Sequence, residues 1–219
     1  MAPSIYKELN LCNVNLKIYN GPTGITCSGG ADSSLLLYFL MKHSVDKIYI
    51  FTTGNKEKEF KNITITNNVI QRCIELTGNT NIEHCTVSHD KQTNENVFGK
   101  PGQYIEKKLI NILYTGVTAN PPKYITDAFI GENLTGPIGN RDPNMKKNTL
   151  RKNNRMYTPW RNIDKKKLAE IYKKYTLIDT LFNHTRSCEW YPDYNSPPNP
   201  GLNHCGACWW CQERAWGFS

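Results

Sequence analysis

The sequence predicts an α/β protein built on a doubly wound parallel sheet, with a small C-terminal zinc-binding extension. Three observations carry that expectation. Short apolar, β-branched runs alternate with runs of helical spacing between residues 24 and 130, and strands alternating with helices join into parallel sheets through right-handed crossovers. The first of these units holds a glycine turn, Ser28-Gly29-Gly30-Ala31-Asp32-Ser33. Near the C-terminus, Cys205, Cys208 and Cys211 stand at two-residue intervals. The expected organisation is a main α/β unit over residues 1–180, with residues 181–219 forming a zinc-binding segment packed on it.

The glycine turn comes first because a ligand would organise around it. Residues 24–27 read as a strand and residues 34–41 as a helix. Strand, glycine turn and helix together form a phosphate cradle, with the free N–H groups and partial positive charge of the helix start aimed at the turn. Gly29 and Gly30 let the backbone bend tightly and approach a ligand closely. Ser28, Ser33 and Ser34 add hydroxyls. Asp32 is out of place in a pure anion site, but suits one where Mg²⁺ lies between the carboxylate and the phosphates. No Gly-Lys-Ser/Thr follows, so the motif is not a Walker A loop. It resembles instead the PP-loop of ATP pyrophosphatases, which implies cleavage of ATP between its α and β phosphates.

The remaining elements follow by pattern. Residues 13–19 alternate and read as an edge strand before the Asn20-Gly21-Pro22 turn. Residues 46–53 form a second strand, apolar enough to be buried on both faces. Residues 57–76 are helical in spacing, residues 81–89 a third strand, and residues 90–101 a polar loop. Residues 103–114, with Ile105, Leu109, Ile110 and Leu113, read as a helix. Residues 123–130 read as a fourth strand ending at Gly131. A basic loop covers residues 134–158, and Asp164 caps a helix over residues 165–175 whose apolar face is Leu168, Ile171 and Tyr172. Ligands of doubly wound sheets bind beyond the carboxyl ends of the strands. Thr52 and Gly131 therefore join Ser28, Gly29, Gly30, Asp32, Ser33 and Ser34 as expected nucleotide contacts.

Composition narrows the classes. A 219-residue chain with 38% apolar residues can bury one sizeable core. No apolar run reaches membrane-spanning length and no signal core opens the chain, so a cytoplasmic protein is expected, with no membrane partner. The net charge of +8 fits nucleic acid, and equally an enzyme that holds ATP and a carboxylate. Of the eight cysteines, half cluster towards the C-terminus, which favours a metal over disulfides. Cys188, Cys205, Cys208 and Cys211 supply the four thiolates of a tetrahedral zinc site. His204 in place of one cysteine and an iron–sulfur cluster are the alternatives. Cys12, Cys27, Cys73 and Cys85 read as core residues.

Taken in order, these motifs resemble the 7-cyano-7-deazaguanine synthase family. The resemblance rests on the Ser-Gly-Gly-x-Asp-Ser loop, on Thr53-Gly54-Asn55 with Glu59, and on Tyr157-Thr158-Pro159-Trp160 before the Asp164-Lys165 helix. It continues through Ser187-Cys188 and through Cys205, Cys208, Cys211 and Arg214, with Gly217-Phe218 behind them. It implies ATP, Mg²⁺ and Zn²⁺, a homodimer, and a ligase that adenylates 7-carboxy-7-deazaguanine. Ammonia then gives the amide, and a second adenylation gives the nitrile. Two stretches depart from the family pattern, Val97-Phe98-Gly99-Lys100-Pro101 and the segment after Gly131. They lie where the acid should bind, so Lys100, Glu132, Asn133, Arg141 and Asp142 are the expected substrate contacts. Lys100 and Asp32 are the expected catalytic groups. Other readings are a relative that stops at the amide, a PP-loop enzyme acting on tRNA, and a non-catalytic zinc module. The last leaves the intact phosphate loop unexplained, and the zinc-linked tryptophans are no argument for nucleic acid.

Overall fold

A computed structural model of the chain describes residues 3–55, 61–89, 94–129, 155–188, 204–206 and 208–219. Its centre is a five-stranded sheet. Strands β3 (Thr23–Thr26), β4 (Ile48–Asn55), β5 (Ile82–His89), β6 (Ile112–Thr115) and β7 (Met156–Tyr157) lie in the order β5-β4-β3-β6-β7, every neighbouring pair parallel. The chain enters the sheet in the middle, runs outward through β4 and β5, and returns to the other side of β3 with β6. The strand order therefore reverses between β3 and β6, the point where doubly wound sheets bind ligands. The expected fold class is the observed one.

Helix α1 (Ala31–His43) follows β3 and is buried along Leu35–Met41, as a helical run apolar on every side must be. Helix α2 (Lys61–Thr77) links β4 to β5, and α3 (Asn94–Glu106) links β5 to β6. A short α4 (Lys123–Thr126), then α5 (Lys165–Lys174), a 3₁₀ turn at Phe182–His184 and α6 (Trp209–Phe218) complete the described elements. Leu168, Ile171 and Tyr172 of α5 are buried, as their spacing predicts, and Asp164 accepts from the Lys167 amide at 3.0 Å as the cap. No described helix is long and apolar enough to cross a membrane.

Three sequence assignments are corrected. Residues 123–129, the described part of the run expected as the fourth strand, do not form one. Pro121 and Pro122 lead into α4, where Lys123 pairs with Asp127 at 2.7 Å and Tyr124 is 73% exposed. A central strand would bury that ring. The fourth parallel strand is β6, inside the run read as a helix over residues 103–114. The helix ends at Glu106: Lys108 turns to a φ of 58° and the Leu109 amide donates to Tyr104 O at 2.9 Å. The helical count had straddled that turn, and a four-residue strand buried on both faces shows no alternation. Residues 94–101 are not a loop but most of α3, despite Pro101. Phe98 and Ile105, seven residues apart, both pack on the Phe51 cluster, a helical period hidden among the turn-forming residues.

The N-terminal segment holds one more strand than expected. β1 (Ile5–Leu11) and β2 (Val14–Tyr19) pair as an antiparallel hairpin. Cys12 and Asn13 between them have φ of 53° and 66°, the two left-handed residues of a type I′ turn. Among the described residues, no strand pairs with the other edge of β2. Two buried tyrosines satisfy it: Tyr114 OH accepts from Tyr19 N and donates to Lys17 O, both at 3.0 Å. Tyr157 OH accepts from Lys17 N at 3.2 Å and donates to Asn15 O at 3.3 Å. Removing the Tyr114 hydroxyl strands a buried amide and a carbonyl. Tyr114→Phe is therefore expected to lower stability by about 1–3 kcal/mol, read as a lower urea midpoint at unchanged slope.

Candidate active site and metal centre

The glycine turn is held from three sides. The Cys27 amide donates to Phe51 O at 2.9 Å, continuing the β3–β4 ladder into the loop. Gly29 has a φ of +76°, and a Cβ on it would lie 2.4 Å from Ile65 Cγ2 of α2. Gly30 caps α1 with extended backbone, and its carbonyl accepts from Ser34 N at 3.0 Å. Ser33 Oγ donates to the same carbonyl at 3.2 Å and accepts from Ser28 N at 3.4 Å, so this hydroxyl ties the turn to the helix start. From β6, Gly116 presses on the loop so closely that a Cβ would lie 2.7 Å from Ser33 N.

A cavity of about 320 Å³ opens over this turn, within the size range of small-ligand sites. Ser28, Gly30, Asp32 and Ser33 line it, with Thr53 in the last part of β4 and Gly116 after β6. It therefore occupies the reversal point between β3 and β6. Phe98 and Trp210 add aromatic side chains to the lining.

Asp32 is the acidic group of this cavity among the described lining residues. Its carboxylate forms an ion pair with Lys165 and accepts from Thr118 Oγ1 at 3.4 Å. Its main chain is fixed too: Trp160 Nε1 donates to Asp32 O at 3.1 Å, and Tyr172 OH donates to Ala31 O at 2.7 Å. The Lys165 side chain is 4% exposed and the Asp32 side chain 20%. A lysine so deeply buried keeps its charge only beside an opposite one. Sequence analysis named Lys165 only as the start of the helix that Asp164 caps and gave it no role in the site. The Asp164 cap was the available signal, since it places residue 165 at the first position of α5.

The expected site residues divide. Ser28, Gly30, Asp32 and Ser33 line the cavity, while Gly29 and Ser34 lie behind the turn. Thr52 is fully buried; its hydroxyl donates to Cys27 O at 2.9 Å and lies 2.9 Å from His84 Nε2. Strand alternation instead presents Thr53 to the cavity. Lys100 extends from α3 towards Thr86 O at 3.5 Å and is not among the cavity-lining residues. Gly131, Glu132, Asn133, Arg141 and Asp142 lie outside the described residues. Cys27 does reach the cavity, but burial pushes its thiol up and so disfavours the nucleophilic thiolate.

Beside the cavity, the sulfurs of Cys188, Cys205, Cys208 and Cys211 all lie within 4.8 Å of one another. Cys205 and Cys211 are 3.8 Å apart, Cys188 and Cys208 3.9 Å. A disulfide needs about 2.05 Å. Thiolates about 2.3 Å from a tetrahedral zinc sit about 3.8 Å from one another, so the cluster fits a metal of that kind. The Cys208 amide donates to Cys205 Sγ at 3.2 Å, the bend that lets two thiolates face one ion. Hydrogen bonds from the Cys208 and Cys211 thiols hold Cys188 down to about 3, and the same contacts push Cys211 up. His204 stays outside the four-sulfur set, with Nδ1 3.8 Å from Cys211 Sγ; burial, with Arg214 and Arg186 nearby, brings it down to about 4.

No family model matches the chain, and no curated protein matches it. Among solved structures, the NMN synthetase from Francisella tularensis is similar at 16% identity, over 85% of this chain and 69% of that one, with a TM-score of 0.40. That likeness bears on neither substrate nor activity.

Lys165→Met leaves the Asp32 carboxylate without its ammonium. Breaking a fully buried pair costs about 3–5 kcal/mol. Asp32 is partly solvated, so a loss of about 1–3 kcal/mol is expected in urea unfolding, and adding Asp32→Asn should restore part of it. A double variant whose loss equals the sum of the two single losses would show that the pair carries no coupling. For the cluster, elemental analysis of the purified chain should find one zinc, and Cys208→Ala should lower the thermal midpoint. Protein with no bound metal, or with a visible iron–sulfur band, refutes the assignment.

Proposed function

We propose that this chain is an AMP-forming, ATP-dependent ligase of the PP-loop type that activates a carboxylate for attack by ammonia. The observation that carries the reading is the Ser28–Ser33 turn at the reversal point of the sheet, with the Asp32 carboxylate in the cavity above it. The helix start and the serine hydroxyls suit phosphate oxygens, and no Walker lysine is present to favour attack at the γ-phosphate. A carboxylate is a poor electrophile. Its oxygen attacks the α-phosphorus, the α–β bond breaks, and pyrophosphate leaves. Ammonia then adds to the acyl carbon and AMP departs with that oxygen, giving the amide.

The chain's own groups have definite tasks in that scheme. The α1 amides bind phosphate oxygens, and Lys165 adds positive charge beside them. Asp32 uses two of its carboxylate's roughly four acceptor positions, for Lys165 and Thr118. It therefore retains capacity to hold Mg²⁺, which when bound neutralises charge on the departing pyrophosphate.

For the acid, the reading is 7-carboxy-7-deazaguanine. Its support is the ordered set of sequence resemblances, together with the aromatic faces of Phe98 and Trp210, which suit a flat bicyclic ring. Glu132 and Asp142 would accept from the ring N–H edge, alongside Asn133, and Arg141 would hold the carboxylate. A second adenylation, on the amide oxygen, releases pyrophosphate again; the nitrogen then gives up its two protons and AMP departs with the oxygen, giving the nitrile. Incubation with ATP, ammonia and this acid should yield AMP and pyrophosphate, with nitrile by mass spectrometry. ADP and phosphate as main products would overturn the ligase reading. Amide without nitrile under excess ATP places the end of the reaction one step earlier, and no conversion of this acid moves the function to another. Asp32→Ala should cut turnover by about two orders of magnitude or more; near-normal turnover would move the site elsewhere.

A further inference from the structure

The metal cluster and the glycine turn are separate features in the sequence, 156 positions apart from Asp32 to Cys188. In the fold they share a strap of two residues. The Arg186 amide donates to Gly29 O at 2.9 Å. A Cβ placed on Gly30 would lie 3.6 Å from Arg186 O and 4.0 Å from Ser187 Oγ, so the strap runs directly over the turn. The next residue, Cys188, supplies one of the four sulfurs.

The other three sulfurs come from the approach to α6 and its first turn, and α6 also reaches both the strap and the cavity. Trp210, between Cys208 and Cys211, lines the same cavity as Ser28 and Asp32. Arg214 Nη1, one turn after Cys211, donates to Thr185 Oγ1 at 2.8 Å, immediately before the strap. Its Nη2 donates to Phe182 O at 3.0 Å. Residues 185–188 are thus gripped on one side by α6 and on the other by the glycine turn. A metal that joins Cys188 to the remaining cysteines fixes the strap's end, and a ligand in the turn fixes the carbonyl and glycines on which the strap rests.

We infer that metal in the four-cysteine site and nucleotide in the phosphate loop bind cooperatively, with Arg186 and Ser187 as the positioning residues that couple them. The inference rests on the nucleotide reading of the loop. Coupling between two binding sites is reciprocal by thermodynamic necessity. Zinc should tighten nucleotide binding by some factor, and nucleotide should tighten zinc binding by the same factor. Couplings of this kind amount to roughly 5–150-fold.

The test uses the full zinc-loaded chain and α,β-methylene-ATP with Mg²⁺, since that analogue cannot be cleaved between its α and β phosphates. Zinc affinity is measured by competition with a chromophoric chelator, with and without saturating analogue. The analogue's own hold on zinc is taken from the same titration without protein. The expected result is at least fivefold tighter zinc binding with the analogue, and an equal change in analogue affinity by calorimetry between loaded and stripped protein. Should the stripped chain unfold, the chelator titration alone decides. Analogue binding with unchanged zinc affinity overturns the coupling and leaves the nucleotide reading intact. A loaded chain that binds no analogue overturns the nucleotide reading, and the coupling with it.

Discussion

A lysine closed off from solvent has to find a carboxylate, and this requirement fixes how the C-terminal part of the chain sits on the sheet. Lys165 meets Asp32 at the mouth of the phosphate loop, so α5 must begin there and nowhere else. Around that point other contacts become tight. The Asp164 cap starts the helix at the residue that has to reach inward. Gly217 of α6 approaches so closely that a Cβ would lie 2.2 Å from Lys165 Cβ. Trp160 and Tyr172 donate to carbonyls of the first turn of α1. The pair contributes little net stability by itself, because desolvation offsets most of the attraction. What it supplies is a unique placement.

The same placement makes a composite cavity. β3 brings the turn, β6 brings Gly116, α5 brings the ammonium, and the strand-free segment at 186–188 with α6 brings the remaining wall. Each contributes main chain or a short polar group at close range, and the metal cluster stands directly behind. A site assembled from parts this far apart in the chain is rigid only when all of them are in place.

Much of the fold was legible in the sequence, and the failures share a cause. The strand–turn–helix at residues 24–41, the strand at 48–55, the strand at 82–89 and the capped helix at 165–174 all carry strong local signals of period, turn or cap. The misplaced strand β6 has four residues, buried on both faces, with no alternation to betray it. In α3, the run Gly99-Lys100-Pro101-Gly102 spells a turn locally, and tertiary packing of Phe98 and Ile105 overrides it. At the site, the four-cysteine set and the loop residues were readable because spacing alone specifies them. Lys165 was not, because what distinguishes it from Lys166 and Lys167 is burial, which depends on where α5 docks.

The tyrosine-held edge of β2 reaches beyond the hairpin itself. Tyr114 and Tyr157 grip only amides and carbonyls of residues 15, 17 and 19. A strand normally has its register set by side chains that must face the right way. Here two hydroxyls that are blind to side-chain identity reinforce the register that the buried side chains of Val14, Leu16 and Ile18 already set. A slip by one residue would present each hydroxyl with backbone groups pointing the opposite way. The outward-facing positions of the hairpin are thereby released from any part in alignment. Their sequence is free to drift, or to be taken up by selection for some other purpose, while the hairpin stays seated on the core.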